Sequence, residues 1–525
     1  MEAKPHFELT LLSFPMPRST KKTRPRHRTH HKGRPRPRSY TPVSDALKQP
    51  FSFADTELAE GIGRHGLVGL LARALSRKRR RDGESLGNVL CALLTWPLLG
   101  LQSIHCLCAQ LGQILQGQLS VLYDFLGRED ICWRGLSSQV SRRLIQQNDL
   151  GARRHRAFVV DDSVKARAGR KVEGTSSHFD HTEGKTIRGH QVLQLGLASQ
   201  QGFVPVEAQI VMSDVNAVVK PKDKPFKDQR SAAARDMRRS WEQNKHQMFR
   251  SMLQRALKAG LSAAYLVADA WFGCKENIAL ALESELIGIF QMKRGKLAYR
   301  YQGKSYTAAQ LYTKVQRRMR PKSRKARYKT AAITVSLNLA TERKQPARWV
   351  AVRLVFSAPV RARQSDTWVV FLCTEPTLEE HTILQAYSLR WSIEVYFKEI
   401  KQHLGLWKEQ SGRYQVAYAS VHLAALRYLL LFEAMLRSGR LSYGEVRDRQ
   451  SGQIMVLTYA ALLWELFRAL IEGALESLVR DLGRRVVRKV SVAIEQSVES
   501  FLSSALQMKP DQVEVQLEAE ALGYL

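Results

Sequence analysis

The spacing of hydrophobic and polar positions changes several times along the chain. Between residues 50 and 150 the apolar positions recur at helical spacing, as in NVLCALLTWPLLGLQSIHCLCAQL, which predicts a helical domain. From residue 155 short apolar runs take over, and AFVVDDS, HQVLQLGLAS, GFVPVEAQIVM and AAYLVADAWF are strand candidates. A helical pattern over 229–259 separates the third run from the fourth. Strands that alternate with helices predict an α/β core.

A further change of pattern begins at residue 296. The segment 296–376 contains a very basic loop and the strand patterns ITVSLNL, VAVRLVF and TWVVFLC, so we interpret it as a β-rich insertion subdomain. The chain after it is mostly helical. The predicted organisation is therefore a basic disordered tail (1–49), a helical DNA-binding domain (50–150), the first part of the α/β core (151–295), the insertion (296–376), a helix that closes the core (377–410) and a C-terminal helical region (411–525).

The stretch YSLRWSIEVYFKEIKQHLGL, residues 387–406, has the pattern of one amphipathic helix. Its apolar stripe is formed by Leu389, Ile393, Tyr396 and Ile400. Four polar residues fall within about 60° of arc on the other side: Tyr387, Arg390, Glu394 and Lys401. This face is either an ordinary solvated surface with an i,i+4 ion pair or one wall of an active site.

The charge of the chain favours a polyanionic partner. Its 525 residues carry a net charge of +34, for which nucleic acid is the first candidate and an anionic membrane surface the second. Ten Lys or Arg lie between Arg18 and Arg38, in a segment with almost no apolar residues that we expect to be disordered and to contact phosphates. A second basic cluster, RKRRR, spans 77–81.

Cysteine usage and hydropathy argue against a structural zinc site, a signal peptide and a membrane span. The six cysteines form no CxxC pair, which favours a reducing compartment and disfavours a structural zinc site, including at His105-Cys106-Leu107-Cys108. Basic residues follow the short N-terminal apolar patch instead of preceding it, so no signal peptide is expected. The apolar runs 87–101 and 421–436 are too short or are interrupted by Arg427, and no membrane span is expected. We expect a cytoplasmic location.

Three carboxylates are candidates for metal chemistry. Asp162, with its neighbour Asp161, and Asp269 follow apolar strands, and strand ends project side chains into the crevice where α/β proteins bind ligands. Glu394 on the helix is the candidate third carboxylate. Hard oxygen ligands suit Mg²⁺ or Mn²⁺, and two such ions promote in-line phosphoryl displacement. A single aspartate after an apolar strand is more often a helix N-cap or a turn residue than a metal ligand, so the metal hypothesis depends on the whole set.

These residues also carry a resemblance to a known family. The pattern Y-x2-R-x3-E-x6-K at Tyr387, Arg390, Glu394 and Lys401 resembles the signature of the insertion-sequence-four (IS-four) group of DDE transposases. VVDDS at 159–163 and LVADAWF at 266–272 are similar to the two aspartate blocks of that family. LSVLYDFLGREDICWRGL at 119–136 resembles the segment that precedes its catalytic core.

The resemblance implies a fold and an activity. It implies an RNase H-like catalytic core with a β-rich insertion between the second aspartate and the glutamate, and transposition of DNA by cleavage at transposon ends and strand transfer. The ligands of two Mg²⁺ or Mn²⁺ ions would be Asp162, Asp269 and Glu394. The family's aspartate is commonly followed by a small residue, which favours Asp162 over Asp161.

The resemblance further implies a set of partners. Tyr387, Arg390 and Lys401 would contact DNA phosphates, and the protein would act on double-stranded DNA, at terminal inverted repeats and a target, as a homodimer in a synaptic complex near the bacterial nucleoid. The freed 3′-hydroxyl would attack either the opposite strand, which forms a hairpin, or the target DNA directly. Two other hypotheses are a catalytically silent DNA-binding protein derived from a transposase and a basic RNA-binding protein. Glu399 is rejected as the third ligand because it lies about 140° from Glu394 on the helix.

Overall fold

The computed structural model of the protein describes most of the chain. The described residues are 56–75, 85–111, 119–169, 171–180, 184–212, 226–324, 326–341, 345–361, 367–478 and 483–505. The predicted disordered tail and the RKRRR cluster lie outside these residues.

The described residues before residue 150 form helices only. They are α1 (Glu57–Arg64), α2 (Leu67–Ala74), α3 (Leu86–Thr95), α4 (Ile104–Leu111), α5 (Leu119–Leu126) and α6 (Trp133–Gln147). Side chains cap the N-termini of two of these helices. Thr56 accepts a hydrogen bond from the backbone N–H of Ala59 in α1, and Ser85 accepts one from the backbone N–H of Asn88 in α3.

A mixed sheet forms the centre of the molecule. Its first six strands are β1 (Ala157–Ala166), β2 (Ser176–Asp180), β3 (Lys185–Ser199), β4 (Gly202–Val211), β5 (Tyr265–Ala268) and β6 (Ile287–Met292). β3 pairs with β1 on one side and with β2 and β4 on the other, all antiparallel, whereas β1, β5 and β6 pair in parallel. The helices between these strands are α7 (Ala232–Glu242), α8 (Lys245–Lys258) and α9 (Lys275–Glu283). The predicted α/β fold class is confirmed at the level of a mixed sheet with many helices.

The segment predicted as an insertion is rich in strands and extends the same sheet. It contains β7 (Ala298–Tyr301), β8 (Lys304–Thr307), helix α10 (Ala308–Val315), β9 (Arg320–Pro321), β10 (Tyr328–Asn338), β11 (Trp349–Pro359) and β12 (Val369–Cys373). β12 pairs antiparallel with β6, and β11, β10, β7 and β8 follow in that order. The backbone hydrogen bonding of the first six strands therefore continues into this segment without a break.

The segment 387–406 differs from the single helix that its pattern predicts. Helix α11 (Glu380–Ser388) ends before Arg390, and α12 (Trp391–Gln402) begins after it. Around the junction the backbone bonds span three residues: the Arg390 N–H donates to Tyr387 O, and the Ile393 N–H donates to Arg390 O. The prediction of one continuous helix is therefore wrong, although the stripe from Ile393 to Ile400 is buried as expected.

Three long helices end the described chain. They are α13 (Tyr414–Ser438), α14 (Tyr443–Ser477) and α15 (Arg484–Ala505). Helix α13 is long and apolar enough to cross a membrane, but 89% of its most apolar stretch is buried inside the protein. It packs against α6, α1 and β4, and one hydrophobic core runs from Leu58 in α1 to Ile454 in α14. We therefore describe α13 as a central core helix.

Candidate active site

Two neighbouring strands bring two aspartates to one edge of their paired region. β1 and β5 run parallel, and their last paired residues are Val160 and Ala268. Asp161 is the next residue within β1, which continues to Ala166, so the expectation that this acid stands at a strand end is wrong. Asp269 is the first residue after β5 and does follow a strand end. Because the two strands point the same way, both carboxylates emerge at the same end of this strand pair.

The Asp161 carboxylate is held by hydrogen bonds and largely buried. Its Oδ2 lies 2.8 Å from Nη1 of Arg390, and its side chain is 19% exposed. Burial raises the pKa of Asp161 to about 7; Arg390 opposes the rise, and the negative charges of Asp269 and Asp162 add to it. An acid in this condition is stabilised by any additional cation.

Asp269 stands in the turn that follows β5. Its Oδ1 accepts hydrogen bonds from the backbone N–H groups of Trp271, at 3.0 Å, and Phe272, at 3.3 Å. Burial raises the pKa of Asp269, while Arg390 and the two N–H donors act against that rise. Asp269 therefore belongs to the same electrostatic cluster as Asp161.

Arg390 connects this strand edge to helix α12. Its Nη1 bonds Asp161, and its Nη2 bonds Oε1 of Glu394, one helical turn further on. The Arg390 side chain is 14% exposed and that of Glu394 is 33% exposed. The guanidinium is therefore an internal counter-ion for carboxylates from a strand and a helix, at the position where the sequence predicts bound cations.

Asp162 makes different contacts from its neighbour. Side chains of successive strand residues point to opposite faces of a sheet. Both oxygens of Asp162 are occupied: Oδ1 accepts from Nε2 of Gln191 at 2.7 Å, and Oδ2 pairs with Nζ of Lys245 at 2.7 Å. Arg390, which pairs with Glu394, therefore also bonds Asp161 and does not bond Asp162.

The other two residues predicted to contact DNA also make hydrogen bonds within the protein. The Tyr387 hydroxyl donates to Oε1 of Gln291 at 2.9 Å, and its ring packs against Phe371. The Lys401 Nζ donates to the backbone oxygen of Val164 on β1 at 2.8 Å. Lys401 therefore contacts β1, which carries Asp161, whereas Tyr387 contacts β6 and β12.

Glu399, which the helical spacing rejects as a ligand, is used elsewhere. It is buried and pairs with Nη1 of Arg447 in α14 at 2.6 Å. This pair joins α12 to the C-terminal helices.

The three candidate ligands suit a hard divalent cation in the type of their donor atoms, but the structure does not group them as a metal site. Asp161, Asp269 and Glu394 supply only carboxylate oxygens, and the raised pKa values of the two aspartates indicate negative charge in need of compensation. Within the described parts of the chain, no three His, Cys, Asp or Glu side chains are grouped so that they could hold a metal ion. Arg390 supplies the compensating charge in this arrangement.

Several residues of the site are not predicted by any pattern in the sequence. Gln191 and Lys245 hold Asp162, and Gln291 holds Tyr387. Trp271 and His246 stack beside them. Only the position of Trp271, two residues after a candidate ligand, could have singled it out.

Comparison with known proteins supports this chemistry. The family model described as DDE superfamily endonuclease matches residues 71–359, which is more than half of the 525-residue chain. The match includes both aspartate blocks and ends before Glu394. A search of curated proteins finds no match. On the strength of the family match, the chain belongs to the DDE superfamily endonucleases.

Proposed function

We propose that the protein is the DDE transposase of an insertion sequence of the IS-four group. It would bind terminal inverted repeats, cleave DNA at the transposon ends and transfer the freed strands. The observation that carries the proposal is the cluster in which Arg390 joins Asp161, beside Asp269, to Glu394. Membership of the DDE endonucleases implies DNA as the substrate.

The order of the strands supports an RNase H-like core. β4, β3 and β1 are antiparallel neighbours, and β5 and β6 follow β1 in parallel. Helices α7 and α8 lie between β4 and β5, and α9 lies between β5 and β6. In this interpretation 151–295 begins the core, 296–376 is inserted into it and 377–410 closes it.

The contacts around β1 favour Asp161 over Asp162 as the first metal ligand. Asp162 is already satisfied by one ammonium and one amide, whereas Asp161 lies beside Asp269 and shares Arg390 with Glu394. We therefore propose Asp161, Asp269 and Glu394 as the ligands. In this assignment Asp162 positions β1 by anchoring it to α8.

Two Mg²⁺ or Mn²⁺ ions would be held by these three carboxylates. Such ions activate the attacking oxygen and stabilise the leaving oxygen of a phosphodiester. Arg390 keeps Glu394 and Asp161 in place before the cations bind, because it contacts both carboxylates. With the negative charge of the carboxylates compensated by bound cations, the Arg390 guanidinium would pair with a DNA phosphate, for which its geometry is well suited.

Tyr387 and Lys401 would serve the DNA backbone on either side of Arg390. The Tyr387 hydroxyl donates to an amide oxygen, and the Lys401 ammonium donates to a backbone oxygen. A phosphate is a stronger acceptor for a lysine ammonium than a neutral carbonyl. This difference supports a phosphate contact by Lys401.

The other parts of the chain would provide binding and assembly. We propose that the helical segment 50–150 and the basic tail 1–49 bind double-stranded DNA of the repeats and of the target. The segment 411–525 would complete a homodimer in the synaptic complex. A bacterial protein of this kind would work at the nucleoid.

The test uses the DNA that flanks the gene. Purified protein should cleave or join a duplex that carries the flanking inverted repeats, in the presence of Mg²⁺ or Mn²⁺. Asp161→Asn, Asp269→Asn and Glu394→Gln should abolish cleavage and leave DNA binding intact. Glu379→Gln, at an exposed carboxylate just before α11, is the matched control, and it should cleave normally.

The outcomes separate the alternatives. Cleavage that survives Glu394→Gln contradicts the assignment of the third ligand. Full activity of Asp161→Asn with loss of activity in Asp162→Asn would reverse the choice between these neighbours. Wild-type protein that binds the repeats without cutting them would favour a silent DNA-binding descendant.

A further inference from the structure

The segment 296–376 is more basic than the chain as a whole. It contains 18 Lys or Arg and three Asp or Glu, and it therefore supplies nearly half of the net charge of +34 from less than one sixth of the residues. Like charges at this density repel one another and destabilise the compact state unless an anionic partner compensates them. The charge of this segment therefore indicates a polyanion contact beyond the regions already proposed to bind DNA.

Exposed cations of this segment gather at one end of β10 and β11. We call them the basic edge: Arg320, Lys322, Arg324, Arg327 and Arg361. Arg320 lies on β9, opposite Thr330 of β10, and the Val360 N–H donates to Arg327 O at 2.8 Å. These contacts bring the end of β11 beside the start of β10. Among the described residues, none of the five cations pairs with a carboxylate, so their charge is available to a partner.

The strand register places the basic edge at the same end of the sheet as Asp269. β11 runs in the direction of β5 and β6, whereas β12 and β10 run in the opposite direction. The end of β5, the end of β11 and the start of β10 therefore face the same way. Pairing from strand to strand puts five residues in one row across the sheet: Ala268, Phe290, Leu372, Leu354 and Ile333. Asp269 lies one residue beyond this row, and the basic edge lies further out on the same side.

The same register gives the distance between the two places. Four strand spacings of about 4.8 Å separate β5 from β10, and Arg327 lies five residues of about 3.3 Å beyond the level of Asp269. The backbones at Asp269 and Arg327 are therefore about 25 Å apart. Twist turns the strands about the line that crosses them, so it leaves this distance nearly unchanged. Base pairs in DNA follow one another about every 3.4 Å, so this distance corresponds to about 7 base pairs.

Further cations lie between the two places. Lys293 and Arg294 follow β6 directly and are exposed. β6 is the neighbour of β5 on the way to β12, and its end points in the same direction as the end of β5. Cations therefore lead from the candidate carboxylates towards the basic edge.

We propose that the basic edge binds the phosphate backbone of duplex DNA about 7 base pairs from the phosphodiester held at the candidate carboxylates. This inference rests on the proposed function and adds a contact surface to it. Contacts of Lys and Arg with phosphates fix the position of a duplex without reading its bases. The basic edge therefore aligns the duplex over the carboxylates whatever its sequence. An anionic membrane surface attracts the same charges, but the alignment with the carboxylates favours DNA.

The first experiment measures how much of the duplex affinity depends on the basic edge. Fluorescence anisotropy is recorded in EDTA, so that no cleavage occurs, on a fluorescein-labelled duplex of random sequence and about 30 base pairs. The test variant is Lys322→Gln/Arg324→Gln/Arg327→Gln. All three side chains are exposed, so it should melt at the wild-type temperature. It should bind more weakly and reduce the slope of log affinity against log salt by about 2 to 3.

The matched control neutralises three exposed cations of the same segment at the opposite end of the strands. It is Arg300→Gln/Lys304→Gln/Arg348→Gln. Arg300 lies opposite Ser336 near the end of β10, and Arg348 directly precedes β11. This variant loses the same formal charge and should keep its slope within about one of the wild-type value.

The second experiment tests the position of the contact. The probe is a duplex that carries the flanking inverted repeat, with single phosphates neutralised by ethylation. Ethylation about 7 base pairs from the cleavage site should weaken binding by the wild type and leave binding by the test variant unaffected. Interference at the same phosphates in both proteins would place the contact elsewhere on the protein.

The outcomes distinguish the inference from the proposed function. If wild-type protein neither binds duplex DNA nor cleaves the repeats, the proposed function fails, and the inference fails with it. If the wild type cleaves the repeats and the test variant keeps the wild-type affinity and slope, the inference alone is overturned. Equal losses of slope in the test variant and the control would also overturn it. So would a test variant that loses binding to phosphatidylserine vesicles and keeps its affinity for the duplex.

Discussion

Replacing Asp161 by asparagine should stabilise the metal-free protein while it removes a proposed ligand. Burial raises the pKa of Asp161 from 3.8 to about 7, even with Arg390 bonded to it. One pKa unit corresponds to about 1.4 kcal/mol, so ionisation of the folded protein costs about 4 kcal/mol. Since 19% of the side chain remains exposed, solvent screening reduces the expected gain to about 2–3 kcal/mol. Asparagine has the same shape and no charge to bury.

The effect should depend on pH in a defined direction. The folded carboxyl binds its proton more tightly than the unfolded one, so the folded state holds more protons between about pH 4 and pH 7. The contribution of Asp161 to wild-type stability is therefore present below about pH 4 and is lost as the pH rises through about 7. The advantage of Asp161→Asn should be small at acidic pH and complete at about pH 8.

The assay is urea unfolding followed by circular dichroism, in EDTA, at about pH 4.5 and about pH 8. Asp162→Asn is the matched control on the same strand. It weakens the contacts to Lys245 and Gln191, and it should lower the free energy of unfolding by about 1–2 kcal/mol. An Asp161→Asn protein that is no more stable than the wild type at about pH 8, or whose gain is the same at both values, would refute the reasoning.

Three further predictions concern ionisable side chains that are buried in the fold. Arg390→Gln removes the internal counter-ion of Asp161 and Glu394, so Mn²⁺ should bind about tenfold more tightly by titration calorimetry; weaker binding would contradict the exchange of guanidinium for metal. Burial lowers the pKa of His422 to about 3, so wild-type protein should lose about 4 kcal/mol relative to His422→Asn as the pH falls from about 6.5 to 3; parallel stability curves would show that His422 is not held neutral. Arg427 is buried in α13 and donates to two backbone oxygens, so Arg427→Met should lower the free energy of unfolding by about 3–5 kcal/mol, whereas Arg437→Met on an exposed turn of α13 should change it by about 0.5 kcal/mol or less.

Parts of the site could be predicted from the sequence because they depend on local spacing. The pairing of Arg390 with Glu394 follows from their separation by four residues, and the structure contains this pair. The closeness of Asp161 and Asp269 follows from two parallel strands in which an acid comes directly after four paired apolar residues. The mixed α/β class follows from the alternation of strand and helix patterns.

Other parts depend on information that a local pattern does not carry. AFVV in β1 is buried at all four positions, so it has no alternation that would indicate which face Asp161 or Asp162 uses. The junction at Arg390 contains neither glycine nor proline, which are the usual signals of a helix break. The pairing of β12 with β6 joins strands that lie far apart in sequence, and neither strand alone indicates its neighbour.

The junction between β6 and β12 has a consequence for truncation. The residues from Ile289 to Met292 hydrogen-bond to β12 along their whole length, and three of these four side chains are buried. Deleting 296–376 as a cassette would leave an apolar strand with a row of unsatisfied N–H and C=O groups at the border of the sheet. Such a border recruits strands from other molecules. The segment 296–376 therefore covers the edge of β6 and protects it from pairing with other molecules. Any shortened version of this protein would need a substitute strand in the place of β12.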